Sequence, residues 1–210
     1  MTPLRATLVS DGSSDRVLVP VIRWLLDVHA SPGVGSVDWA DPRISAGRSL
    51  SERLGAAVES YPCDLLFVHR DAERASLAAR QREIRRALSG WSHPAVCVVP
   101  VRMQEAWFLF DAAALRTAAG NPGGRMALSL PPARSVEGLP DPKRHLHQLL
   151  RRASGLRGRH LERFDPRLHA HRLADVMRDY APLRRLSAFR VFERELWGVL
   201  RQNGWLRGTT

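Results

Sequence analysis

Residues 4–26 constrain the fold more than any other stretch of the chain. A short apolar run from Leu4 to Ser10 leads into Asp11-Gly12-Ser13-Ser14-Asp15, and apolar residues at helical spacing follow as far as Leu26. That order predicts a buried strand, a tight turn and an amphipathic helix. Gly12 is read as the residue that lets the turn adopt a positive φ, and Ser13 or Ser14 as the helix cap. Asp11 then stands at the carboxyl end of a strand and Asp15 in the first turn of a helix. In open α/β sheets, ligands bind at that edge.

The pattern recurs. Asp64-Leu65-Leu66-Phe67-Val68 is a second buried strand and ends in His69-Arg70-Asp71-Ala72-Glu73, while the β-branched run at 95–101 is followed by Gln104-Glu105. A weaker alternation at 36–44 reads as an edge strand because Pro42 removes a ladder donor. Between the strands, a Ser49-x-x-Glu52 capping box opens a helix to about Tyr61, and residues 74–88 carry Leu77, Ile84 and Leu88 on one face. A further helix is expected from Arg102 to about Thr117. Strand and helix alternating in this way predict an α/β fold with a mostly parallel sheet flanked by helices. Parallel strands then bring three acidic strand ends, at Asp11, Asp71 and Glu105, to one rim, and clustered carboxylates suit a hard divalent cation.

Beyond Gly120 the patterning changes. Residues 119–141 hold Pro122, Pro131, Pro132 and Pro140 and read as a connecting loop. Three helices are then expected: one opened by Asp141-Pro142 and stopped at Gly155, one from Asp165-Pro166 to about Tyr180, and one capped by Ser187. The domain reading is therefore an α/β catalytic core at 1–118, a connecting loop at 119–141, and a basic helical extension at 142–210 packed on the core. Charge follows this division. Residues 1–100 carry twelve arginines against eleven acids, a net of +1, whereas residues 101–210 carry twenty basic residues against ten acids, a net of +10. A nearly neutral half with clustered acids beside a strongly basic half is suited to polyanionic partners.

Several classes are disfavoured. No apolar run reaches the ~18 residues of a membrane span, no leader with a charged and then an apolar region opens the chain, and no P-loop spacing occurs. Cys63 and Cys97 read as small core residues of a protein in a reducing, cytoplasmic setting. The pairs His145/His147 and His169/His171 are poor chelates, since residues two apart on a helix point to different sides.

Asp11-Gly12-Ser13-Ser14-Asp15 after a strand resembles the first motif of TOPRIM domains, and His69-Arg70-Asp71-Ala72-Glu73 their later acidic motif. Gln104-Glu105-Ala106-Trp107-Phe108-Leu109-Phe110-Asp111 is similar to the Glu-Ala-Trp signature of one TOPRIM-like family of unknown function, often found beside ATPases in bacterial defence loci. Two departures stand out. Asp11 replaces the usual Glu, and His69 replaces the usual first Asp; an imidazole suits Mn²⁺ or Zn²⁺ better than Mg²⁺.

The resemblance implies a TOPRIM-type, metal-dependent nuclease cleaving DNA or RNA in an anti-phage or genome-maintenance system. Asp11, Asp15, Asp71 and Glu73 are the expected ligands of Mg²⁺, with Mn²⁺ as the alternative. Asp11, Asp71, Glu73 and Glu105 are the expected catalytic carboxylates, and Arg70, Arg102 and Lys143 the expected phosphate contacts. Expected partners are a nucleic acid, a separate ATPase subunit and further copies of the chain in a homo-oligomer. The competing readings are a catalytically degenerate TOPRIM-like subunit that binds nucleic acid or a partner, and a small-molecule phosphatase on the same acidic edge.

Overall fold

The computed structural model describes residues 2–31 and 33–208. Four strands, β1 (Leu4–Val9), β2 (Val34–Trp39), β3 (Leu65–His69) and β4 (Ala95–Val98), form one all-parallel sheet in the order β2-β1-β3-β4. The fold is α/β as the alternation predicts, with β2 on the edge that Pro42 suggested. Pro42 itself opens a short 3₁₀ turn, Pro42–Ser45, capped by Asp41. Because the chain leaves β1 for β2 on one side and then crosses back from β2 to β3 on the other, the crevice beyond the carboxyl ends of β1 and β3 is the switch point of the sheet.

Strand period two sorts the core into two faces. Leu4, Ala6, Leu8, Leu65, Phe67, Val96 and Val98 belong to the larger cluster, with α1 (Leu18–His29) and the C-terminal helices. Val9, Leu66, Val68, Cys97 and Val99 face α2 (Leu50–Ser60) and α3 (Leu77–Ala87) on the other side. Cys63 and Cys97 are free and buried, and burial followed by the nearby Glu195 pushes the Cys97 thiol up to about 12. That keeps it a thiol and unreactive.

The first half of the chain does not cover its own sheet. The chain continues through α4 (Ala112–Ala118), α5 (Ala133–Val136), α6 (Pro142–Ser154), α7 (Gly158–Glu162), α8 (Pro166–Val176) and α9 (Ser187–Gln202). Phe189, Phe192, Leu196 and Leu200 of α9 are buried in the same cluster as β3 and β4. Phe192 meets Phe67 edge to face at 6.1 Å, and Trp107 meets Phe189 at 5.3 Å and stacks on Phe192 at 5.9 Å. Midway along α9, Glu193 accepts from Arg184 Nε at 2.9 Å and lies 2.8 Å from His29 Nε2, which ties this helix to α1.

Local signals hold at several boundaries. Ser49 and Glu52 form a reciprocal box, Asp141 accepts from the Arg144 N–H at 2.8 Å, and Gly155 ends α6 at φ 67°. Five expectations are corrected. Gly12 is extended, with φ −142°, and caps the 3₁₀ turn Ser13–Val17 itself, so neither Ser13 nor Ser14 is the cap. The helix expected over 102–117 is broken into a 3₁₀ turn, Gln104–Phe108, and α4, because all five turn residues are buried and Asp111 starts a new helix by accepting from the Ala113 and Ala114 N–H groups. The stretch read as loop contains α5. The helix from Pro166 ends at Val176, short of Tyr180. Finally, Leu186 rather than Ser187 is the cap of α9, and the free N–H groups of Ser187 and Ala188 are satisfied from outside the helix by the Glu137 carboxylate, at 3.0 and 2.8 Å.

Two stability predictions follow from this packing. Trp107→Ala should lower the unfolding free energy by about 3–5 kcal/mol, as for a large buried aromatic, measured by urea titration. Burial raises the Glu193 carboxyl, but its bonds to Arg184 and His29 outweigh that and hold it below the usual carboxylate range. The stabilisation it gives is complete above the unfolded value of about 4.3 and is lost as the pH falls through the folded value. The stability difference between wild type and Glu193→Gln should therefore shrink in acid.

Candidate metal and phosphate site

His69 is the last residue of β3 and is almost fully buried. Its Nδ1 lies 2.9 Å from the Val98 carbonyl of β4, a contact that requires the proton on Nδ1. Burial, working against the pull of Asp15, keeps the imidazole below its ordinary value and so neutral. Nε2 then carries a lone pair, and it faces Asp71 Oδ1 at 3.6 Å and Asp15 Oδ2 at 3.9 Å. Three acceptors turned toward one another need a proton or a cation between them.

The carboxylates come from three strand ends. Asp15, in the turn after β1, accepts from the Gly12 N–H at 2.8 Å, the Ser14 hydroxyl at 3.1 Å and the Gln104 side-chain amide at 2.9 Å. Asp71, two residues past β3, accepts from the Gln104 N–H at 2.9 Å. Burial, then Glu105 and Asp15, push the Asp71 carboxyl up to about 8. Glu105 follows β4 and is itself raised, by burial first, with Lys143 pulling the other way. Lys143 Nζ, in the first turn of α6, is 3.6 Å from Glu105 Oε1. It is the single lysine in the chain.

The sequence-predicted residues thus divide. Asp15, Asp71, Glu105 and Lys143 come together with His69. Asp11 shares the rim but is clamped between Arg53 of α2, at 2.7 Å, and Arg70, at 2.8 Å. Burial raises its carboxyl, yet the two guanidinium groups outweigh burial and leave it below the usual range. Arg70 is occupied by Asp11 and by Glu83. The Glu73 side chain is 68% exposed and turned toward Arg80 at 3.8 Å. Arg102 is exposed and contributes its backbone, whose carbonyl accepts from the Glu73 N–H at 2.9 Å. Both residues of that bond are left-handed, Glu73 at φ 53° and Arg102 at φ 62°. Two strained non-glycine residues joined beside a rim of ligand-type side chains mark a held conformation.

Gln104 is the residue that sequence reasoning missed. Its side-chain amide and backbone N–H bind two different carboxylates, and because the Asp15 contact demands the NH₂ end, Oε1 is left buried with no partner among the described residues. Its place beside Glu105 was visible in sequence, but nothing in its type announced that role. Arg53 was equally silent, one arginine of many.

Among the described residues, no three His, Cys, Asp or Glu side chains form a ready-made metal site. The donor chemistry nevertheless fits a small divalent cation. It combines a neutral imidazole lone pair with carboxylates that lack enough positive charge, beside an unpartnered amide oxygen. The same donors favour Mn²⁺ over Mg²⁺.

The Asp11 clamp predicts a measurable coupling. A double-mutant cycle with Asp11→Ala and Arg53→Ala should give about 0.5–1 kcal/mol, the half-exposed carboxylate being partly screened by solvent. Compared with protein-family models, with curated proteins and with solved structures, the chain matches none.

Proposed function

We propose that this protein is a divalent-metal-dependent nuclease of TOPRIM type, hydrolysing phosphodiester bonds. The observation that carries the reading is the His69 Nε2 lone pair facing the Asp15 and Asp71 carboxylates. Asp15, His69 and Asp71 are the residues that would hold the cation, with Glu105 beside them. Such a cation, when bound, supplies a polarised water and offsets charge on the phosphate. Gln104 fixes the orientation of two carboxylates at once. Lys143 offsets Glu105 and is the cation of this cluster that meets a phosphate oxygen. Asp11 serves the site indirectly, by holding Arg53 and Arg70 at the rim.

Support for action beside an ATPase in bacterial defence or genome maintenance comes from the Glu-Ala-Trp signature, and support for a reducing cytoplasm from the two buried free cysteines. Among the described residues, no helix is long and apolar enough to cross a membrane.

A second reading, a subunit that binds nucleic acid or a partner without cleaving, is favoured by the commitment of Asp11 to two arginines. Calorimetry separates the two. Under the nuclease reading Mn²⁺ binds at one class of site, and Asp71→Asn or Asp15→Asn weakens it at least tenfold and lowers Mn²⁺-dependent cleavage at least a hundredfold. Asp11→Asn should leave Mn²⁺ affinity within about threefold. Uptake that is absent, or indifferent to Asp71 and Asp15, leaves the non-cleaving subunit.

A further inference from the structure

Beside the acid cluster runs a groove of about 1150 Å³, opening beyond the carboxyl ends of β1 and β2. Its walls include Arg16, Arg48 and the ring of Trp39. A smaller cleft of about 150 Å³, lined by Glu105, Lys143 and Arg167, shares Ser13, Val17 and His171 with it. The two adjoin at those three residues, so a path from the arginine-rich groove to the cleft at Glu105 and Lys143 passes over them.

Charge along this path is uneven. Three acids line the groove: Asp11 is paired with Arg53 and Arg70 and Asp41 with Arg43, while Asp175 is in no ion pair among the described residues. Arg16 and Arg48 are exposed and make no ion pair among the described residues. Four arginines, at 16, 43, 48 and 53, line the groove against three acids, and this excess of guanidinium groups favours a substrate with spaced negative charges. Trp39 adds a second requirement. Its Nε1–H is spent on the Ser10 hydroxyl at 3.0 Å, which fixes the indole, and the side chain packs on the core on one side and lines the groove on the other. An aromatic face accepts an unpaired base, whereas a duplex keeps its bases stacked inside.

We propose that this groove binds single-stranded nucleic acid, with phosphates on Arg16 and Arg48 and a base on Trp39, and feeds the strand toward Lys143 and the acid cluster. The inference rests on the nuclease reading for its direction, but binding in the groove does not depend on cleavage.

Fluorescence anisotropy with a labelled twelve-nucleotide oligo(dT) or oligo(U), in EDTA so that no metal takes part, tests it. Arg16→Glu combined with Arg48→Glu should weaken binding of the single strand at least tenfold. The slope of log affinity against log salt should flatten by about 1.4, two contacts at ~0.7 each. Trp39→Phe should retain affinity and Trp39→Leu lose it about fivefold, with circular dichroism confirming that each variant is folded. Arg190→Glu combined with Arg194→Glu, on the exposed face of α9, is the control for general charge and should change affinity less than twofold. Asp71→Asn should bind the oligonucleotide as wild type does, so loss of cleavage and loss of groove binding are read separately. An unchanged affinity in the groove variant, an equal loss in the α9 variant, or tighter binding of the matching duplex would overturn the proposal.

Discussion

One hydrogen bond, from the imidazole of His69 to the carbonyl of Val98, sets the character of the whole rim. It commits a ring proton to the nitrogen facing β4, and burial, by lowering the imidazole's pKa, favours the other nitrogen as an acceptor toward Asp15 and Asp71. The parallel sheet makes this possible, since all its strands end on the same side. The 3₁₀ turn after β4 adds Gln104 and Glu105, every residue of that turn being drawn inward by the core beneath it. The aromatic cluster of Trp107, Phe189 and Phe192 anchors the turn to α9, so the last helix described supports a site built at the ends of β1, β3 and β4.

The electrostatics divide the rim in two. At Asp11 the charge is met by two guanidinium groups and the carboxylate is comfortable as an anion. On the inner side of the same rim, Asp71 is buried among other acids, and burial and these neighbours push its carboxyl up to about 8. The contrast has a simple origin: α2 and the loop after β3 place Arg53 and Arg70 over Asp11, while among the described residues Lys143 alone of the cations pairs with an acid of the inner group. A protein that leaves acids under-neutralised in a buried cluster has a site that gains from a bound cation.

Much of this was legible in sequence, for identifiable reasons. The strand runs at 64–68 and 95–98 are continuous and β-branched or aromatic, and the capping box at Ser49 and the Asp-Pro starts at Asp141 and Asp165 are local chemistry that tertiary context did not override. The break at Asp111 was not legible, because an inward-facing 3₁₀ turn and a helix share the same apolar composition. Nor could sequence rank Asp11 against Asp15. Both flank the same turn, and the difference lies in arginines from distant parts of the chain whose type is too common here to carry information. Gln104 shows the same limit, its role arising wholly from where the turn places it.

Crystals soaked in Mn²⁺ offer the most direct measurement. An anomalous difference peak bounded by His69 Nε2 and the carboxylates of Asp15 and Asp71 is the predicted result. A peak seated on Asp11 instead, or an occupied lattice of other sites with none at His69, would contradict it.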